Sequence, residues 1–196
     1  STGCPDRKAY LFSRDSNVPL IKTDSLTRDS PVHRAKISAD GSSFAVGSES
    51  GDGAVFLFSK DFKEPVWKFP TNNNSSVRAL NLTPDGRFIG ASTFGGQAYI
   101  FESGSQNPVA TWTFNTALGG IDIADDGNFI ATGGTDNKVH LLSKDKKLNI
   151  EVPFEEYVEE IDISADGKYV AAGTGGSVYF FETILKDAKT VPCTTI

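Results

Sequence analysis

The chain is poor in the residues that build metal centres and disulfide frameworks. It has 196 residues, of which two are cysteines and two are histidines. Cys4 and Cys193 lie near opposite ends, a spacing that matches neither a zinc site nor a dense disulfide framework. Because no set of histidines, cysteines and carboxylates has metal-ligand spacing, we expect no metal and no organic cofactor.

Positive charge and long apolar runs are also scarce. The net charge is -6 and the isoelectric point is near 4.9, which disfavours contact with the phosphate backbone of nucleic acids. No apolar run approaches the ~18 residues that span a bilayer. We therefore expect neither nucleic-acid binding nor membrane insertion.

The sequence instead contains an internal repeat. Four segments superimpose, and each carries an Asp-Gly pair, at Asp40-Gly41, Asp85-Gly86, Asp126-Gly127 and Asp166-Gly167. The pairs are spaced by 45, 41 and 40 residues. A period near 40 residues is typical of propellers and solenoids.

Each copy is a set of short strands. Apolar residues alternate before the Asp-Gly pair, as at Ile161 and Ile163, and indicate a strand. The pair forms a tight hairpin, and two or three further strands follow. The pattern predicts an all-β propeller segment of four-stranded antiparallel blades, with about four and a half repeats. We assign a partial blade to residues 1–30, blades to 31–75, 76–116, 117–156 and 157–183, and a C-terminal tail to 184–196.

The first residues match the middle of a repeat. Residues 1–13 align without a gap on residues 131–143, so Tyr10–Phe12 is predicted to be a third strand. Two interpretations follow: a piece of a longer propeller, which we favour, or a short propeller closed in an unusual way. In either case we expect the exposed strand edge to pair with further sequence or with another chain.

The units "DISADGKYVAAGTGGSVYFFE" and "LTPDGRFIGASTFGGQAYIFE" resemble WD40-like β-propeller repeats, and they also look like PQQ-type repeats. The segment from Ser59 is similar to the tail of a PQQ repeat, in which a Trp docks on the neighbouring blade. The sequence departs from the WD40 pattern because it has no Trp-Asp and no Gly-His pair. The resemblance implies a disc that binds other proteins, while a minority of such propellers are enzymes or sensors.

Three functions remain open at this point. The first is a non-enzymatic scaffold for protein–protein interaction, or a subunit of a larger assembly, whose protein partners are unknown. The second is part of a PQQ-type quinoprotein or lactonase-like enzyme, for which the chain offers only Asp122 and Asp162 at the channel. The third is an extracellular or surface structural protein. Glycosylation acceptors at Asn73 and Asn74 favour an extracellular or membrane-associated location over a cytoplasmic one.

No catalytic residue is predicted. His140 occupies a strand position whose counterparts in other repeats are aromatic, Phe56, Tyr99 and Tyr179, which favours a packing role. His33 is assigned to a loop before a first strand. Neither histidine has a nominated partner for nucleophilic or metal chemistry.

Two polar patterns are candidate sites. Lys36, Asn81, Asp122 and Asp162 recur at one position of the innermost strand. They either line the central channel as an ion or ligand site or hydrogen-bond between neighbouring blades, and we favour the second. The stretch from Glu151 to Glu160 is either an acidic patch for a basic partner or a solvated loop. Its glutamates are Glu151, Glu155, Glu156, Glu159 and Glu160.

The two cysteines distinguish the closure models. A ring that closes with the partial repeat beside the last blade brings Cys4 to Cys193, and a disulfide there would contribute on the order of 5 kcal/mol in the chain-entropy model. A longer propeller separates their Cα atoms beyond the ~7 Å that a bridge allows. Peptide mapping of unreduced protein shows whether Cys4 and Cys193 are bridged. Two free thiols in protein from an oxidising compartment would rule out the disulfide and favour the longer propeller.

Overall fold

The computed structural model describes residues 6–183 and confirms the predicted all-β propeller architecture. Cys4 and Cys193 lie outside the described residues, and so does the disulfide considered between them. Within that range the helical structure is a three-residue 3-10 turn, Asn72–Asn74, and no helix is long and apolar enough to cross a membrane. The strands are β1 (Tyr10–Phe12), β2 (Pro19–Lys22), β3 (Val32–Ile37), β4 (Ser43–Ser48), β5 (Ala54–Ser59), β6 (Trp67–Pro70), β7 (Val77–Leu82), β8 (Phe88–Thr93), β9 (Gln97–Glu102), β10 (Ala110–Thr113), β11 (Leu118–Ile123), β12 (Phe129–Gly134), β13 (Lys138–Ser143), β14 (Asn149–Pro153), β15 (Val158–Ile163), β16 (Tyr169–Thr174) and β17 (Val178–Glu182).

The strands form five antiparallel sheets in which sequence neighbours are also spatial neighbours. We name β3–β6 blade 1, β7–β10 blade 2, β11–β14 blade 3 and β15–β17 blade 4. Strands β1 and β2 form a separate N-terminal pair, in which Leu11 lies opposite Ile21. This meander within each sheet is the topology of a propeller blade.

The Asp-Gly pairs turn the first strand of each blade into the second. In blade 1 the Gly41 N–H donates to the Ser38 carbonyl at 3.0 Å, and the Asp40 carboxylate accepts bonds from the Ser38 hydroxyl and the Ser42 N–H. Only the glycine of the pair has a positive φ, 71°, which a residue without Cβ adopts without strain. The same bonds lower the pKa of Asp40 to about 2, because they stabilise the ionised form of its carboxyl group.

Both faces of a blade are apolar, and each is covered by a neighbouring sheet. Val55 and Leu57 on β5 face blade 2, where they meet Tyr99 and Phe101 of β9. The alternate β5 residues face the N-terminal pair instead. Because successive residues of a strand point to opposite faces, one central strand contributes to two cores.

Trp67 fastens blade 1 to blade 2. Its indole N–H donates to the Ser103 carbonyl at 2.9 Å, and its ring lies 5.2 Å from that of Phe101. The tryptophan therefore combines a buried aromatic contact with a satisfied polar group, the usual arrangement for a buried indole.

The hairpin tips also connect neighbouring blades. The Ala39 N–H donates to the Pro84 carbonyl at 2.9 Å, and the Asp125 N–H donates to the Ala165 carbonyl at 3.0 Å. These bonds join blades 1 and 2 and blades 3 and 4. The equivalent bond from blade 2 to blade 3 cannot form, because proline at position 84 has no N–H to donate.

One sequence assignment changes. His33 was assigned to a loop, whereas the structure places it inside β3, with its Nδ1 against the carboxylate of Glu49. The sequence around His33 does not alternate between apolar and polar residues, so it did not indicate that β3 begins at Val32.

A glycine pair lets blades 3 and 4 approach closely at their inner ends. A Cβ on Gly120 would lie 2.7 Å from the Ile161 nitrogen, and one on Gly119 would lie 2.9 Å from the Val158 carbonyl oxygen. Both obstacles are backbone atoms of β15, which cannot rotate away as a side chain could. The two strands can be neighbours at this spacing only with glycine here.

We therefore expect Gly120→Ala to destabilise the protein by about 1–3 kcal/mol through overpacking. Gly104→Ala is the matched control, because a Cβ there would meet no atom within 4 Å, and we expect a change of about 0.5 kcal/mol or less. Urea unfolding followed by tryptophan fluorescence measures both. Equal stability of the two variants would contradict the close approach.

Candidate functional site

The innermost strands of the four blades surround one groove. Strands β3, β7, β11 and β15 contact one another in series, and the groove between them has a volume of about 850 Å³. Most of its wall comes from these strands and from the residues just before them, and Phe94, Gly134 and Thr135 at the ends of β8 and β12 complete it. Four segments that are distant in sequence thus present side chains to one space.

A β-bulge interrupts the innermost strand of every blade. In β3 the pairing with β4 shifts between Val32 and Arg34, and in β15 the pairing with β16 shifts between Val158 and Glu160. Equivalent shifts occur in β7 and β11. Because a bulge re-aims the side chains beside it, these four positions determine which groups face the groove.

The groups so presented change sign around the groove. Blades 1 and 2 supply Arg34, Lys36 and Arg78, which we call the basic wall. Blade 4 supplies Glu159, Glu160 and Asp162, which we call the acidic wall. The bulge of β11 lies between the two walls. It consists of Gly119 and Gly120, which carry no charged side chain. The groove is therefore electrostatically polar from one side to the other.

Arg34 is held in place by its neighbour blade. Its Nε donates to the main-chain carbonyl of Arg78, which fixes the guanidinium at the boundary of blades 1 and 2. Burial, and then the charge of Arg78, lower the pKa of Arg34, while the charge of Glu160 raises it. The acidic wall is thus close enough to act on the basic wall across the groove.

Two aromatic side chains stand at the groove. Tyr157 donates its hydroxyl to the Glu159 carboxylate at 2.8 Å, and Phe94 lies at the start of the turn after β8. They are 46% and 63% exposed, respectively. Exposed rings beside charged walls are features of surfaces that bind other proteins.

The glutamates of the 151–160 stretch do not share one environment. Glu159 and Glu160 belong to the acidic wall, whereas Glu151 pairs with Lys138 on the outer part of blade 3. The Glu156 carboxylate accepts the Gly176 N–H at 2.9 Å and so caps a turn of blade 4. Glu155 contributes its main-chain carbonyl to Asn137. The stretch divides because β14 ends and β15 begins within it.

The recurring polar series also divides. Lys36, Asn81 and Asp162 contribute to the wall of the groove, but Asp122 is only 5% exposed. The Asn81 amide donates to one Asp122 oxygen, and the other oxygen accepts the Ile163 N–H at 2.8 Å. Asp122 therefore connects blades 2, 3 and 4, and a role of the series as an ion or ligand site stays a prediction.

Burial raises the pKa of Asp122 to about 7, and a hydrogen bond with Asp162 adds to the increase. Bonds from the Ile163 and Ile123 N–H groups act in the opposite direction. The protonated carboxyl can donate to the Asp162 carboxylate while its oxygens continue to accept from the backbone. The raised pKa of Asp122 thus lets the inner ends of blades 3 and 4 share one exchangeable proton near neutral pH.

Sequence reasoning named Lys36 as a candidate channel residue but missed the two arginines of the basic wall, Arg34 and Arg78. Arg34 is the third residue of "VHRAKI" and Arg78 is the second residue of "VRALNL", so an alignment of those two segments does not place the arginines together. Alternation along β3 puts Arg34 on the same side as Lys36, but alternation cannot place Arg78, which is the extra residue of the bulge in β7. The groove side chains therefore could not be selected from periodicity alone.

Comparison with known proteins assigns the architecture to a class. The family model described as "WD domain, G-beta repeat" matches residues 106–142. Those residues run from the turn before β10 to β13, so the repeat contains the outer strand of one blade and three strands of the next. This offset ties neighbouring blades together through the chain itself.

A curated relative points to the same class. The chain is 28% identical over 128 residues to transducin-like enhancer protein 2 from Mus musculus. The match covers 63% of this chain and 16% of that protein, so the chain spans a small part of the relative's length. Both matches support assignment of the repeats to a WD40-like β-propeller repeat family. Propellers of this class are typically non-enzymatic domains that bind other proteins.

The shared proton predicts how stability depends on pH. In the folded protein Asp122 keeps its proton up to about pH 7, whereas an unfolded aspartate loses it near pH 4. Between these values the folded state binds more protons, so the free energy of unfolding falls as pH rises, and this contribution is complete below pH ~4. We expect Asp162→Asn to reduce the fall by on the order of 1 kcal/mol, because an amide can donate to the ionised Asp122.

Urea unfolding between pH 4 and pH 8 measures this difference. Asp125→Asn, an exposed position on the neighbouring hairpin, is the matched control and should follow the wild-type profile. Identical profiles for wild type and Asp162→Asn would show that no proton is shared.

Proposed function

We propose that the protein is a non-enzymatic interaction module whose groove binds an extended segment of another protein. One observation carries the proposal: the bulges of the innermost strands present the basic wall and the acidic wall to the same groove. A segment with an acidic and a basic region would meet complementary charge at both. Such complementarity selects partners and fixes their orientation.

The rigid frame supports this role. Each wall residue lies on or beside a strand whose neighbours are buried in inter-blade cores, such as Val77 and Val158. Groups fixed before binding lose little conformational entropy on binding. The exposed rings of Phe94 and Tyr157 add apolar contact area beside the charges. The match to a WD40 repeat is consistent with protein binding.

The enzyme alternative required Asp122 and Asp162 to converge on the channel. Both oxygens of Asp122 are instead bonded to backbone N–H groups and to Asn81. These bonds use the carboxylate to connect neighbouring blades. Within the described residues, no observation favours the enzyme over the interaction module.

A peptide of defined charge tests the proposal. The probe is a blocked peptide with three glutamates at one end, three lysines at the other and an uncharged, phenylalanine-containing middle. We expect Arg78→Glu and Glu160→Lys each to weaken binding about tenfold, and added salt to weaken it further because the walls are partly solvated. Fluorescence anisotropy gives the dissociation constants.

Arg87→Glu is the control for net charge. Arg87 is exposed and pairs with Glu102 away from the groove, so its reversal should leave the affinity within about twofold. If all three variants bind the probe equally, or if an uncharged peptide binds as well as the charged one, the groove does not recognise charge and the proposal fails.

A further inference from the structure

The outer edge of a blade is a second surface, at the opposite end of the sheet from the groove. Within the described residues, β2, β6, β10 and β14 are the outer strands that follow a third strand. In an antiparallel ladder, alternate residues point both N–H and C=O away from the partner strand. In blade 2 the Phe114 N–H donates inward to the Gly96 carbonyl at 2.8 Å. Thr111 and Thr113 consequently direct their backbone groups outward.

The other three edges carry residues that discourage pairing. In β6 the Thr71 N–H donates inward to the Gly53 carbonyl. Alternation from that bond makes Lys68 and Pro70 the residues whose backbone groups point outward. In β14 the outward positions are Glu151 and Pro153. In β2 one outward position is Lys22. Charges and prolines at these places protect sheet edges, since proline offers no N–H and a charge must be desolvated.

Blade 2 lacks this protection. Thr111 lies opposite Tyr99 and Thr113 lies opposite Gln97, which are the positions that correspond to Lys68 and Pro70 of blade 1. Both threonines are neutral and β-branched, a type that favours strands. Among the four described outer strands, β10 is the one whose outward positions hold neither a charge nor a proline.

A cleft that could accept a side chain lies beside the unprotected edge of β10. A cleft of about 470 Å³ lies between β6 and the outer half of blade 2, and the side chains of Thr111, Thr113, Phe69 and Tyr99 contribute to its wall. On the other face of β10, Trp112 lies 6.0 Å from the Lys146 ammonium. A strand added beside β10 would therefore find an aromatic contact on each face.

We propose that β10 binds an extended, uncharged segment of another polypeptide, which adds to blade 2 as a fifth strand and places an apolar side chain against Phe69 in the cleft. Backbone hydrogen bonds to Thr111 and Thr113 supply the pairing, and the cleft supplies the side-chain preference. This is strand addition at a sheet edge. It is independent of the groove, because it uses the outer end of the blade and no charged wall.

Hydrogen exchange with a defined probe tests the proposal. The probe is the blocked peptide Thr-Val-Thr-Val-Thr at millimolar concentration, and its counterpart is the same peptide with alternate backbone nitrogens methylated. We expect the probe to slow exchange of the Thr111 and Thr113 amides by about tenfold, and the methylated peptide to leave them unchanged. Equal effects of both peptides, or no protection by either, would overturn strand addition.

Variants locate the binding at β10. Thr113→Pro gives this edge the residue that β6 and β14 carry at the same place, and it should weaken probe binding about tenfold or more. Thr111→Lys, which should also weaken binding, is the second variant should the proline disturb folding. Lys68→Pro makes the proline change on an edge that is already protected and should bind the probe as the wild type does.

Two results would overturn the assignment. One is undiminished probe binding by both β10 variants. The other is a dimer in sedimentation that forms without the probe and disappears with Thr113→Pro, since the edge would then belong to a second copy of this chain. Binding of the charged groove peptide is measured in parallel, and its loss or survival in these variants separates this surface from the groove.

Discussion

No blade of this protein can bury its own apolar faces. The central strand of blade 1 has Val55 and Leu57 on one side and Phe56 and Phe58 on the other, and each is at most 2% exposed. A single sheet offers no interior, so each face needs a neighbouring sheet. The stacking of blades follows from this requirement, and it brings the four innermost strands together around a groove. The groove is thus a consequence of packing between the sheets.

Close approach of the innermost strands buries backbone N–H groups, and the Asp122 carboxylate supplies acceptors for two of them. Backbone N–H groups near the inner ends face neighbouring blades, and a buried N–H without an acceptor is costly. The Asp122 carboxylate accepts N–H groups from its own strand and from blade 4, at Ile123 and Ile163. The Asn81 amide group donates to Asp122, and its oxygen accepts the Leu82 N–H of its own strand, so this residue links Asp122 to blade 2. Within the polar series, Asn81 and Asp122 make these bonds, whereas Lys36 and Asp162 contribute to the wall of the groove.

The fold could be predicted from sequence because its signals are local. An Asp-Gly pair, the alternation before it and the apolar strand after it lie within about 20 residues, and the repeat supplies four copies of that evidence. The bulges could not be predicted, since a bulge is a property of the register between two strands. Arg78, the extra residue of the bulge in β7, therefore gave no recognisable pattern. The acidic stretch was visible, but the strand boundary near Tyr157 that sends its glutamates to different surfaces was not.

The groove and the outer edge of blade 2 are joined by a short, tightly packed connection. Residues 114–117 link β10 to β11, and Phe114 packs against His140 with 4.3 Å between ring centroids. The Thr116 and Thr135 hydroxyls are hydrogen-bonded at 2.8 Å, and a side chain on Gly96 would collide with the Phe114 carbonyl oxygen. A link held by backbone contacts and a buried ring leaves little freedom for one surface to move relative to the other. The two surfaces are therefore held at a fixed separation, and segments bound at both would be placed in a defined geometry by the frame itself.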